Sequence, residues 1–275
     1  MYSTLMVYLD IDHENANLLN IAADLSERFD AHVLGIASCQ PAQLVGDGSF
    51  TTEFIARDRA EIAERMKTTR DAFDAALEKR SPVREWRSAV TFGPPTDFIA
   101  CQGRRADLVI IGVEYRGSWF DPSWRVDTSD LIMQVGRPVL VVPNGVKTLS
   151  AGTVLVGWKD TRESRRAVMD ALPFLQTAEK VIVVEVVASR DQIDAAKRNV
   201  NDVSDWLDRH GVSSHPMAIA TDDGAEVDLC AVAQDQGADL VVAGAYGHSR
   251  LHEWMLGGVT RNLLQNPVRC VLLSH

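Results

Sequence analysis

The residues whose spacing could do chemistry are four glycines, Gly244, Gly247, Gly257 and Gly258. Gly244 closes a short apolar run, Leu240 to Ala243, and Gly247 follows it within the pattern Gly-x-x-Gly. Nine residues later Gly257 and Gly258 open an amphipathic segment, Val259-Thr260-Arg261-Asn262-Leu263-Leu264. Strand, glycine loop and helix start, in that order, can bring backbone amides close to a bound oxyanion. Glycine lets the chain turn tightly, and the first amides of a helix are unpaired donors at the positive end of its dipole. Phosphate is the natural guest. In the same loop the guanidinium of Arg250 could fork onto a phosphate, next to His248. The plain alternative is a loop that closes a strand-helix unit, with Arg250 an ordinary surface side chain.

Other chemistries find less support. His248, His252 and Glu253 look superficially like metal ligands, but the His-Glu-x-x-His order is absent, so no metal is expected. There is no Gly-x-Ser-x-Gly elbow, no Walker lysine motif and no Ser-Gly-Gly-x-Asp-Ser run, and the sequence offers no convincing nucleophile or general base. Trp119, Phe120, Trp124 and Trp254 fall in the loops after two similar strands, where they read as lids on the core rather than as a partner surface.

The elements that must position the glycine loop occur twice. Thr4 to Asp10 matches Thr153 to Lys159 in pattern, and Ala106-Asp-Leu-Val-Ile-Ile-Gly112 matches Ala238-Asp-Leu-Val-Val-Ala-Gly244 almost residue for residue. The chain therefore reads as a duplicated domain, 1–145 and 152–275, joined near Pro143-Asn144-Gly145. In the first half, strands are expected at Leu5 to Leu9, His32 to Ala37, Arg84 to Thr91, Leu108 to Ile111 and Val139 to Val142. Helices are expected at Glu14 to Phe29, at about Glu53 to Lys79, and around Asp97 to Arg104. In the second half the strands are Val154 to Trp158, Val181 to Val187, Ser213 to Ile219, Leu240 to Ala243 and Cys270 to Leu273. Asp160 with Glu163 resembles a capping box opening a helix through Leu172. Ile193, Ala196, Val200, Val203 and Leu207 mark the next helix face, and Glu226 to Gln234 a third. Alternation of strands and helices implies an α/β fold with parallel sheets covered on both faces.

The glycine spacing after a correctly placed strand resembles the ATP-binding loop of the universal stress protein family. The last motif position, usually Ser or Thr there, is Gly258 here, with Thr260 two residues on. The resemblance covers both halves and implies two tandem doubly wound five-stranded domains of the adenine nucleotide α-hydrolase-like kind, forming a pseudo-dimer through antiparallel pairing of their fifth strands. Such pairing would also cover two apolar edges. Carried over to this sequence, the resemblance places Lys159 where the family has a base- or ribose-recognising Asp. It places Val186 at the end of strand 2 lining the adenine pocket, and Gly244, Gly247, His248, Gly257, Gly258, Val259 and Thr260 in the loop. A lysine cannot accept hydrogen bonds from an amino group or from hydroxyls, so its charge would serve a phosphate or simply face solvent. The first half keeps Asp10 at the acid position but reads Val113-Glu114-Tyr115 after Gly112, and Val126-Asp-Thr-Ser-Asp130 replaces the glycine pair. Asp127, Thr128 or Ser129 can cap the helix there. One adenine nucleotide, ATP or AMP with or without Mg, is thus expected per chain, in the second half. The expected role is a nucleotide-dependent sensor in the stress response. A scaffold without nucleotide that binds protein partners or hydrophobic ligands, a slow ATPase, and a further homodimer are the open alternatives.

Composition sets the outer bounds. At 275 residues, 46% hydrophobic and 24% charged, the chain is long enough for two globular domains. A formal net charge of -10 argues against nucleic acid as a partner, because that affinity depends on Lys and Arg neutralising phosphates. No run is long enough for a membrane span and the N-terminus does not read as a signal peptide, so a cytoplasmic protein without a membrane partner is expected. The four cysteines, Cys39, Cys101, Cys230 and Cys270, lack metal-ligand spacing and read as reduced core residues.

Overall fold

The computed structural model describes residues 1–41, 52–81, 83–113, 126–220, 229–246, 263–264 and 267–275. They form two compact units, Tyr2–Arg137 and Pro138–His275, with Met1 counted in the latter. The first unit holds β1 (Thr4–Tyr8), α1 (Ala16–Phe29), β2 (His32–Cys39), α2 (Thr52–Leu77), β3 (Arg84–Val90), α3 (Pro95–Gln102), β4 (Leu108–Gly112) and α4 (Thr128–Val135). Its strands run parallel in the order β3-β2-β1-β4. Continuous apolar runs explain the central strands: Leu5 to Val7 and Leu108 to Ile111 are essentially fully buried. The helical stripes are buried as their spacing predicts, with Ile21, Leu25 and Phe29 on α1 and Ile62, Phe73 and Leu77 on α2.

The second unit holds β5 (Val139–Val142), β6 (Thr153–Trp158), α5 (Arg162–Leu175), β7 (Lys180–Val187), α6 (Ile193–Asp208), β8 (Ser214–Ala220), α7 (Leu229–Asp235), β9 (Leu240–Gly244) and β10 (Cys270–Ser274). Its order is β5-β10-β9-β6-β7-β8. All neighbours are parallel except β5 and β10, which run antiparallel with Val141 opposite Val271 and Val139 opposite Leu273. The expected pairing of the two fifth strands is therefore present, and β5, the last strand of the first repeat in sequence, is counted with the second unit.

The repeated Ala-Asp-Leu-Val motif has a physical reason. Asp107 accepts from the amides of Ser3 and Thr4 at 2.8 and 3.0 Å, and Asp239 accepts from those of Gly152 and Thr153 at 3.1 and 3.2 Å. In both repeats this carboxylate fastens the start of the first strand to the start of the fourth. Among the described residues β3 and β8 each pair on one side only. β3 carries Arg84, Glu85 and Arg87, and β8 carries Pro216, devices that discourage further strand addition.

Three expectations need correction. The helix after β6 begins from Thr161, not Asp160: the Thr161 hydroxyl accepts from the Ser164 amide at 3.3 Å, while Asp160 pairs with Arg165. That helix also runs through Pro173 to Leu175 rather than stopping at Leu172, because burial of Phe174 and Leu175 offsets the intrahelical hydrogen bond that Pro173 cannot donate. Cys101 is exposed, whereas Cys39 and Cys270 are buried, where loss of hydration pushes their thiols up to about 11 and about 12; all four are free. No helix among the described residues is long and apolar enough to cross a membrane.

Candidate functional site

The candidate cleft is built at the carboxyl ends of β6, β7 and β9, where ligands sit in doubly wound sheets. β6 is central: Trp158 lies level with Glu185 of β7, and Gly157 level with Ala243 of β9. Lys159 follows Trp158 directly beyond the end of β6, and Val186 follows Glu185 in β7. Lys159 is exposed and Val186 half-buried. Of the expected site residues, the structure thus brings Lys159, Val186 and Gly244 to one end of one sheet. Gly247, His248, Arg250, Gly257, Gly258, Val259 and Thr260 lie outside the described residues, as do Tyr115 and the four aromatic residues Trp119, Phe120, Trp124 and Trp254.

Gly244 has a packing role of its own. A Cβ there would come within 2.6 Å of the Ser164 amide nitrogen and 2.7 Å of the Glu163 carbonyl carbon. The first turn of α5 rests directly on the end of β9. Next along the chain, the Ala245 amide donates to the Ser274 carbonyl at 2.8 Å, and Tyr246 adopts a left-handed backbone at φ 57°. For a bulky residue this conformation is strained, and it stands immediately before Gly247.

Two buried carboxylates shape the electrostatics here. Glu163, on the first turn of α5, is 3% exposed; burial alone would raise its pKa, but hydrogen bonds from Arg162, its own amide and Thr161, with the Arg162 charge, hold it below the usual value. Glu185 is pushed the other way. Burial raises its pKa, the Asn199 side-chain amide donates to it at 3.0 Å in opposition, the Asp160 charge adds to the rise, and the Lys159 charge counters it. Sequence reading noted Glu185 only as a break in an apolar strand. A lone carboxylate in such a run was the available signal, while its partner Asn199 belongs to the next helix.

In the first repeat the equivalent positions are occupied by local bonds. One Asp10 oxygen accepts from the Asp12 amide at 2.8 Å and the other is 3.0 Å from His13 Nδ1. Asp127 caps α4, accepting from the Asp130 amide at 2.9 Å, as the sequence allows. An amide that an anion would need at that helix start is thereby taken.

Comparison with known proteins agrees with this architecture. Residues 151–273 match the family model described as the universal stress protein family. No curated protein sequence matches the chain. Among solved structures, a universal stress protein from Archaeoglobus fulgidus DSM 4304 is similar over 98% of this chain and 95% of its own, with a TM-score of 0.73 at 13% identity. A putative universal stress protein from Pseudomonas aeruginosa UCBPP-PA14 is similar over 99% and 93%, with a TM-score of 0.62 at 16% identity. A functionally unknown protein from Pseudomonas aeruginosa PAO1 is similar over 99% and 92%, with a TM-score of 0.59 at 14% identity. Residues 151–273 thus resemble the universal stress protein family, within a chain that shares the fold of solved universal stress proteins over nearly its whole length.

Proposed function

We propose that this chain is a cytoplasmic, nucleotide-dependent stress regulator that binds one adenine nucleotide, ATP or AMP, in the second of two tandem domains, 1–145 and 152–275. The observation that carries this reading is the position of Gly244. It delivers the chain from the carboxyl end of β9, next to the end of β6 that leads into Lys159, into the Gly-x-x-Gly run and the Gly257-Gly258 pair. In this assignment the amides of Gly247, Gly257, Gly258, Val259 and Thr260 hold phosphate, with Arg250 and His248 beside them, and Mg accompanies the phosphates of ATP. The first repeat contributes no nucleotide site, because Asp10 and Asp127 spend their carboxylates on local backbone and side-chain partners.

Titration calorimetry with ATP and with AMP tests the reading. We expect a stoichiometry near one per chain, loss of binding in Gly247→Val and little change in Asp10→Ala. Two equivalent sites, or a site abolished by Asp10→Ala, would overturn the assignment of a single site to the second repeat. Absence of binding by ATP, ADP and AMP alike would overturn it in favour of a scaffold working through protein partners.

A further inference from the structure

Ala245, the first residue beyond β9, is held at both of its backbone polar groups by the end of β10. Its amide donates to the Ser274 carbonyl at 2.8 Å, and its carbonyl oxygen lies 3.1 Å from Nδ1 of His275. A carbonyl oxygen only accepts, so Nδ1 carries the proton of that bond, in the neutral ring and in the imidazolium alike. The accepting oxygen belongs to the same planar peptide as the Tyr246 amide. Fixing that plane fixes φ of Tyr246, which stands at 57°, a left-handed value that a bulky residue keeps only where its surroundings hold it.

The hold has a rigid base. Ser274 is 1% exposed, lies level with Gly244 in the β9–β10 ladder, and donates its hydroxyl to Asp170 of α5 at 2.8 Å. The first turn of the same helix rests against Gly244. His275 therefore extends from a fixed strand end, and its half-buried ring can be changed without disturbing the ladder beneath it. We propose that His275 is a positioning residue of the second-repeat cleft: its Nδ1–H, through the Ala245 carbonyl, sets the left-handed turn at Tyr246 by which the chain leaves β9. That this turn governs nucleotide affinity rests on the reading given above; that His275 governs the turn does not.

Crystal structures of the full chain and calorimetry with ATP test this in His275→Asn and His275→Phe. Asn keeps an N–H donor the same number of bonds from the backbone as Nδ1, whereas Phe keeps a ring and loses the donor. Tyr246 should retain a positive φ in His275→Asn and move to a negative φ in His275→Phe. Both variants should melt close to wild type, because Ser274 and Asp170 still anchor β10. Loss of one hydrogen bond should weaken ATP binding about three- to tenfold in His275→Phe, and His275→Asn should keep most of the wild-type affinity. A positive φ that persists in His275→Phe, or an equal loss of ATP affinity in the two variants, overturns the proposal. If wild type binds no ATP, the nucleotide reading falls alone, and the Tyr246 backbone in the two variants still decides the role of His275.

Discussion

Glu163 and Glu185 show how two buried carboxylates of one unit can titrate in opposite directions. The Glu163 carboxyl is lowered from 4.5 because hydrogen bonds from Arg162, its own amide and Thr161 outweigh burial. A lowered folded pKa contributes stability that is present above the unfolded value and lost as pH falls through the folded one. The Glu185 carboxyl is raised from 4.5, chiefly by burial. Its contribution is therefore fully present below the unfolded value and is lost as pH rises through the folded one. Melting curves between about pH 4 and 8 should separate them. Glu163→Gln should lose stability at neutral pH and narrow the gap to wild type on acidification. Glu185→Gln keeps an oxygen for Asn199 and removes the buried charge, so it should be at least as stable as wild type at pH 7, with any advantage fading toward pH 4. Parallel pH profiles for the two variants would refute the assignment. Sequence alone could not have supplied these signs: Glu185 lies in an apolar run, but its direction is set by burial against the opposing hydrogen bond from Asn199, with smaller effects of the Asp160 and Lys159 charges.

At the scale of elements, the strands were legible because a buried parallel strand is a short apolar run, and Val139–Val142 was placed to the residue. Helix ends were less so. Asp160 and Thr161 are both good caps by type, and the choice fell to Thr161 where the first turn of α5 meets Gly244. The same contact makes Gly244 legible as a loop glycine but not as a packing glycine, since nothing in Gly-x-x-Gly spacing announces that a helix rests on it. The duplicated position supplies an internal control: at Gly112 an added Cβ would meet nothing within 4 Å among the described residues. Gly244→Ala must displace the backbone of Ser164 and Glu163 and should cost about 1–3 kcal/mol, the range for overpacking. Gly112→Ala should stay within about 0.5 kcal/mol of wild type. Chemical denaturation of both variants measures the difference, and equal losses would mean that α5 yields easily. If Gly244→Ala also weakens ATP binding, a repeat at saturating ligand separates a displaced loop from a lost contact.

For the molecule as a whole, the repeat seen in sequence and the compact unit seen in the structure do not share a boundary. The duplication divides the chain near residues 145–152, whereas the unit containing β10 begins at Pro138, because β5 lies antiparallel on β10. Both strands are closed to solvent: Val139 to Val142 are at most 2% exposed, and Cys270 to Leu273 at most 1%. A fragment of residues 152–275 would carry a complete second repeat yet leave β10 with β9 as its remaining strand partner. That edge is short and apolar, the kind that pairs with another chain, and fully burying each Val or Leu is worth about 1.5–3 kcal/mol. We expect the 152–275 fragment to self-associate, or to melt well below a 138–275 fragment that retains β5. Adding Val141→Pro to the longer fragment should remove its advantage, since proline cannot donate to the ladder opposite Val271. Should the two fragments instead melt alike, with the 152–275 fragment monomeric, β5 would be dispensable cover, and the duplicated sequence unit rather than the compact unit beginning at Pro138 would be the one that folds.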